Sequence, residues 1–108
     1  MRALLVDPDA PFALRLGDAP DPVPGPGQVL IDVRNTSLNW GEINRARSGG
    51  APPGSVLGWD AAGVVTRAAA DGTGPPVGSR VVTRGAEGGW AQRRAVDVSE
   101  LAVIPDAV

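Results

Sequence analysis

The chain has 108 residues, 43% of them hydrophobic, which suits one domain around one core. Its ten basic residues, all arginine, nearly balance twelve acidic ones for a net charge of −2, too weak a field to argue for nucleic acid or an anionic membrane. No apolar run is long enough to span a bilayer or form a signal-peptide core, and cysteine and histidine are absent, so disulfides and any zinc site of thiolates or imidazoles are excluded; a cytoplasmic protein without a metal is the default expectation.

Short β-branched runs separated by Gly and Pro predict strands at 2–6, 13–17, 28–34, 62–68, 80–83, 90–96 and 101–104. In the third run Val29, Ile31 and Val33 alternate with Leu30, Asp32 and Arg34, which predicts one buried and one mostly wet face. Asp7-Pro8-Asp9-Ala10-Pro11 reads as a turn. The proline-rich 21–27 stretch reads as an ordered surface connection, because its prolines fix φ and remove backbone donors. Another loop is expected at 71–76.

The single helical candidate is 40–47, two turns long, with Asn39 placed to cap it. Many short strands with turns between them predict a mainly β fold, a small barrel or sandwich. Nothing has the strand–helix–strand rhythm of a nucleotide-binding fold. The glycines of Gly85-Ala86-Glu87-Gly88-Gly89 precede a strand instead of opening a helix, so they predict a turn and not a phosphate loop.

Three segments carry the chemical information. They are Asn35-Thr36-Ser37-Leu38-Asn39-Trp40-Gly41-Glu42-Ile43-Asn44, Leu57-Gly58-Trp59-Asp60-Ala61-Ala62-Gly63-Val64-Val65, and Val77-Gly78-Ser79-Arg80-Val81-Val82 with the Gly89-Trp90-Ala91-Gln92 that follows. Gly58 and Gly63, with the small Ala61 and Ala62, would let a backbone or a ligand come close. Trp40 and Trp59 each lie near a carboxylate, Glu42 and Asp60. They either wall a pocket for a planar ligand or are core or partly buried surface residues with a satisfied N–H.

The order and spacing of these segments resemble the N-terminal GroES-like domain of the medium-chain dehydrogenase/reductase superfamily. Met1-Arg2-Ala3, Pro24-Gly25-Pro26-Gly27-Gln28-Val29 and Gly78-Ser79-Arg80-Val81 carry the resemblance further, and it runs from residue 1 to 108. The branch it is most similar to is the zinc-free quinone oxidoreductases and enoyl reductases. Zinc-dependent members carry Cys where this chain has Asn39, and His-Glu where it has Trp59-Asp60. Neither an amide nor an indole replaces those ligands.

The resemblance implies a GroES-like, partly open β-barrel with one or two short helices, filling 1–108. It also implies a Rossmann cofactor domain, absent from this sequence, that would follow. The implied activity is NADPH-dependent reduction of a quinone or α,β-unsaturated carbonyl without zinc, with this chain alone inactive. Asn39 is implied to lie near the nicotinamide as the catalytic residue, and Trp40, Asn44 and Trp59 to line the substrate cleft. Glu42 and Asp60 read first as structural partners of arginines or backbone N–H groups, and second as proton donors. An unfinished apolar edge leaves a homodimer open. The other reading is a stand-alone GroES-like β module that binds a small ligand or a partner chain without catalysis.

Overall fold

The computed structural model describes every residue, Met1–Val108. Seven strands and one helix follow in the order β1 (Arg2–Val6), β2 (Leu14–Asp18), β3 (Gln28–Thr36), α1 (Trp40–Arg47), β4 (Ala61–Arg67), β5 (Arg80–Thr83), β6 (Arg93–Asp97) and β7 (Leu101–Val103). Two single 3-10 turns, Pro11–Ala13 and Val98–Glu100, complete the regular structure. The fold is the mainly β, GroES-like half-barrel that the strand pattern and the resemblance predict.

β1 and β2 form an antiparallel ribbon, and the other strands form one antiparallel sheet in the order β6-β3-β4-β5-β7. This register forces the sheet to curl. Asp97 ends β6 opposite Gln28, the first residue of β3. Leu101 begins β7 opposite Thr83, which faces Ala61, which faces Thr36 at the far end of β3. A flat sheet would hold its edge strands about 19 Å apart across four strand spacings, and the offset along β3 would add to that. The chain from Asp97 to Leu101 reaches at most about 14 Å. The two edges must therefore approach each other, which a coiled, sheared sheet achieves.

Two bulges supply the bending. Register shifts fall between Leu30 and Ile31 and between Val33 and Asn35, leaving Thr66 on β4 and Arg34 on β3 without a direct partner. At Gly63 a Cβ would collide with the backbone carbonyl of Asp32, so the close approach that a glycine predicts here is made by β3 itself and not by a ligand.

The curled sheet encloses Val29, Ile31, Val65, Ala69, Val81 and Val96. Val29 and Ile31 fall inside as the alternation predicts, and Val33 is partly buried. A second cluster of Val6, Ala46, Ala51, Leu57 and Trp90 joins the β1–β2 ribbon and α1 to the barrel. Trp90 is the core tryptophan. It is 4% exposed, and its indole N–H donates to the carbonyl of Ser37 at 2.9 Å. The strand predicted at 90–96 starts later, at Arg93, because Trp90 and Ala91 turn away from β3. The Leu4 N–H bonds the Trp90 carbonyl at 2.9 Å, and Ala91 bridges Ala3. No helix of the chain is long and apolar enough to cross a membrane.

Candidate functional site

The start of α1 is held by its own third residue. Asn39 has extended backbone at the N-cap, and Asn39 and Glu42 make a capping box. Glu42 Oε1 accepts from the Asn39 backbone N–H at 2.9 Å and from Asn39 Nδ2 at 2.7 Å. A carboxylate can only accept, so the amide nitrogen of Asn39, and not its oxygen, must face it. Glu42 Oε2 accepts from the Trp59 N–H at 2.5 Å. With Glu42 only 1% exposed, one buried carboxylate ties the cap of α1 to the segment before β4.

Asn39 Nδ2 also reaches Ser37 Oγ at 3.2 Å and lies 3.5 Å from Asp60 Oδ2, while Ser37 Oγ donates to Asp60 Oδ2 at 3.0 Å. Five side chains or backbone groups from two chain segments thus meet at one place: Ser37, Asn39, Glu42, Trp59 and Asp60. Trp40 and Trp59 stand beside them with 74% and 39% of their surface exposed. Neither is a core residue, and Trp59 is partly buried at the surface. The Trp59 ring lies over Gly41, where a Cβ would come within 2.5 Å of it, so the glycine makes room for the indole. Asn44 is exposed one turn beyond Trp40 on the same helical side, and no hydrogen bond links it to the network.

Of the six residues singled out in the sequence, Asn39, Glu42, Trp59 and Asp60 meet here, while Trp40 and Asn44 are carried beside them by α1. Glu42 and Asp60 take up hydrogen-bond donors, as their first reading predicts. Glu42 takes backbone N–H groups, one of the two kinds of partner expected, and neither carboxylate makes an ion pair with an arginine. The nearby arginine, Arg94, donates to carbonyls instead. Its burial lowers the guanidinium from its ordinary range, and the charges of Asp60 and Glu42 act in the opposite direction. Sequence reading missed Arg94, since a charge in a short strand reads as a solvent-facing position.

No hollow on this chain encloses Asn39 or Trp40. Trp59 and Asp60 border a shallow, mixed-charge depression of about 520 Å³ with Arg84, Gly85, Asp97 and Glu100. A larger apolar hollow, about 320 Å³, lies between the β1–β2 ribbon and Trp90, and a smaller one, about 160 Å³, borders Ser37 and Asp60. Trp59 therefore borders an open depression, and Trp40 lines no hollow.

The zinc used by some alcohol dehydrogenases does not fit these residues. Asn39 and Trp59 offer neither thiolate nor imidazole, both oxygens of Glu42 are committed to N–H donors, and Asp60 alone cannot hold the ion. No group of three His, Cys, Asp or Glu side chains is arranged to hold a metal ion.

Residues 25–106 match the alcohol dehydrogenase GroES-like domain family. The chain is 41% identical over 87 residues to the trans-enoyl reductase tazE of Aspergillus terreus, covering 74% of this chain and 28% of that protein. It superposes on the quinone oxidoreductase of Pseudomonas syringae with a TM-score of 0.87 at 27% identity, over 99% of this chain and 34% of that one. A mycobacterial protein solved in complex with NADPH gives a TM-score of 0.82 at 33% identity, over 100% of this chain and 35% of that one. The chain spans about a third or less of the length of these relatives.

Proposed function

The chain belongs to the alcohol dehydrogenase GroES-like domain family, and on that premise we propose that it is the substrate-side domain of an NADPH-dependent oxidoreductase that reduces a quinone or an α,β-unsaturated carbonyl without zinc. The observation that carries this reading is the Asn39 amide, buried carboxylate and all, fixed beside two exposed indoles. An amide held in one orientation is a positioned dipole, and exposed aromatic faces suit a planar, conjugated acceptor. In the complete enzyme a Rossmann domain beyond these residues would bind most of the cofactor.

When bound, the reduced nicotinamide supplies the hydride. This chain's residues do the rest of the work on its side of the cleft. Asn39 would face the nicotinamide, with Nδ2 anchored on Glu42. Trp40, Trp59 and, at the rim, Asn44 would stack against or orient the acceptor and exclude water. Glu42 serves as the anchor and not as a proton donor, because both oxygens already accept hydrogen bonds in a dry setting. Asp60, exposed and bonded to Ser37, is the carboxylate left with access to the cleft.

The test is steady-state NADPH oxidation by the protein expressed from its complete reading frame, against a panel of quinones and enones. Turnover is expected with at least one class, and Asn39→Ala should lower kcat by about tenfold or more. Residues 1–108 alone should show no turnover above buffer. Unchanged kcat and KM in the variant would remove Asn39 from the site. The absence of turnover with every acceptor would replace the oxidoreductase reading with that of a binding module.

A further inference from the structure

Residues 57–60 lie outside every strand, yet they carry Trp59 and Asp60. Neighbouring side chains of opposite charge hold both main-chain groups of Trp59. Its N–H donates to the Glu42 carboxylate, and its C=O accepts from Arg94 Nη1 at 2.9 Å. The same guanidinium donates to Thr83 Oγ1 at 3.0 Å, to the Glu87 carbonyl at 2.9 Å and to the Gly58 carbonyl at 3.4 Å. Thr83 Oγ1 in turn donates to the Ala61 carbonyl at 2.9 Å.

Arg94 is 3% exposed and inward-facing on β6, next to Val96 in the alternation. An apolar residue would fill that position more cheaply, because a buried cation without a carboxylate partner is costly to desolvate. The acceptors that repay the cost come from three separate segments. One is the glycine-rich turn 85–89. A Cβ on Gly85 would come within 2.6 Å of Arg94 Nη2, so this glycine is required by the guanidinium and not by a phosphate. The turn then returns to the site segment, with Gly89 N–H on the Gly58 carbonyl at 3.0 Å and Trp90 N–H on the Leu57 carbonyl at 2.9 Å.

We propose that Arg94 is a positioning residue. It clamps the Trp59 carbonyl and the 85–89 turn together from behind, while Glu42 holds the Trp59 N–H from the front, and the pair fixes the indole wall and Asp60 against the cleft. The structural half of the proposal stands on the geometry alone. Its kinetic half rests on the oxidoreductase reading.

The test uses two variants of the complete protein. Arg94→Lys keeps the charge but loses the planar fork that reaches several acceptors at once. Gly85→Ala leaves Arg94 in place and displaces its Nη2. The three tryptophans give three indole N–H resonances, assigned by single Trp→Phe replacements. In both variants the Trp59 indole and Asp60 amide signals should shift or broaden, while the Trp90 indole signal stays where it is. With a planar acceptor, KM should rise about fivefold or more while kcat stays within about twofold. Trp59 signals that do not move, or a Trp90 signal that moves as far as that of Trp59, would overturn the proposal, the second by revealing general loss of packing. A wild-type protein that fails to oxidise NADPH would instead sink the oxidoreductase reading and leave the resonance result to decide on Arg94.

Discussion

Replacing Glu42 by Gln removes a charge and almost no volume, so it isolates what the buried carboxylate does. The carboxylate accepts from two sides: Oε1 takes both donors of Asn39, and Oε2 takes the Trp59 N–H. An amide has one acceptor oxygen. If that oxygen faces Asn39, its NH2 group meets the Trp59 N–H; if it faces Trp59, it meets two donors of Asn39. In either orientation at least one buried donor is left opposite another donor. Losing a hydrogen bond to a charged group and stranding its partner costs about 2–3 kcal/mol in a site this dry. At about 4–8 °C per kcal/mol for a domain of this size, Tm should fall by roughly 10–20 °C. Thermal melts followed by circular dichroism, with urea midpoints beside them, provide the measurement. A Glu42→Gln variant within about 0.5 kcal/mol of wild type would refute the reasoning, since it would mean that the network is not desolvated or that water replaces the lost contact.

Gly63→Ala should destabilise severely, by about 3 kcal/mol or more, because the added methyl meets the backbone of β3 and no side chain can yield; a soluble variant with a wild-type urea midpoint would contradict this. The Asp21 carboxyl is held below its ordinary range, chiefly by the hydrogen bond from the N-terminal ammonium, while desolvation works in the other direction and Arg93 assists. A carboxyl depressed in the folded state adds stability above its unfolded value, near about pH 4, and loses that contribution as the pH falls through the folded value. Asp21→Asn should therefore be less stable than wild type at pH 6, and the two should converge as the pH drops below about 4; urea midpoints that differ by the same amount at both pH values would count against the pairing.

Where structure follows from local rules, it was legible in the sequence. β1, α1 and β5 lie at the predicted residues, because alternation, an Asn cap and flanking Gly or Pro mark them without outside help. β2, β4 and β7 differ from the predicted bounds by one residue, and the larger shifts are those decided by distant partners. β3 runs on to Thr36 through a bulge at Arg34, and β6 begins only after Trp90 and Ala91 have bonded to β1. The site divides in the same way. Asn39 and Glu42 are three residues apart, which is helix-cap spacing, so their meeting is local. That Glu42 would hold Trp59 rather than an arginine is a contact across seventeen residues of chain. Arg94 was hidden because all but one of its acceptors, the Thr83 hydroxyl, are backbone carbonyls, which leave no side-chain signature.

The return of β6 to β3 bears on how this chain acquires its structure. β3, β4 and β5 can pair in the order in which they are made. The β1–β2 ribbon, however, pairs at one end with Gly54, Ser55 and Val56 and at the other only with Trp90, Ala91 and Gln92. Closure of the curled sheet also waits for Leu101–Val103. On a ribosome the first ribbon would therefore stay only partly paired until Gln92 had emerged. Folding should be late and slow for the chain's length, because loops of this span must close before their contacts repay the entropy.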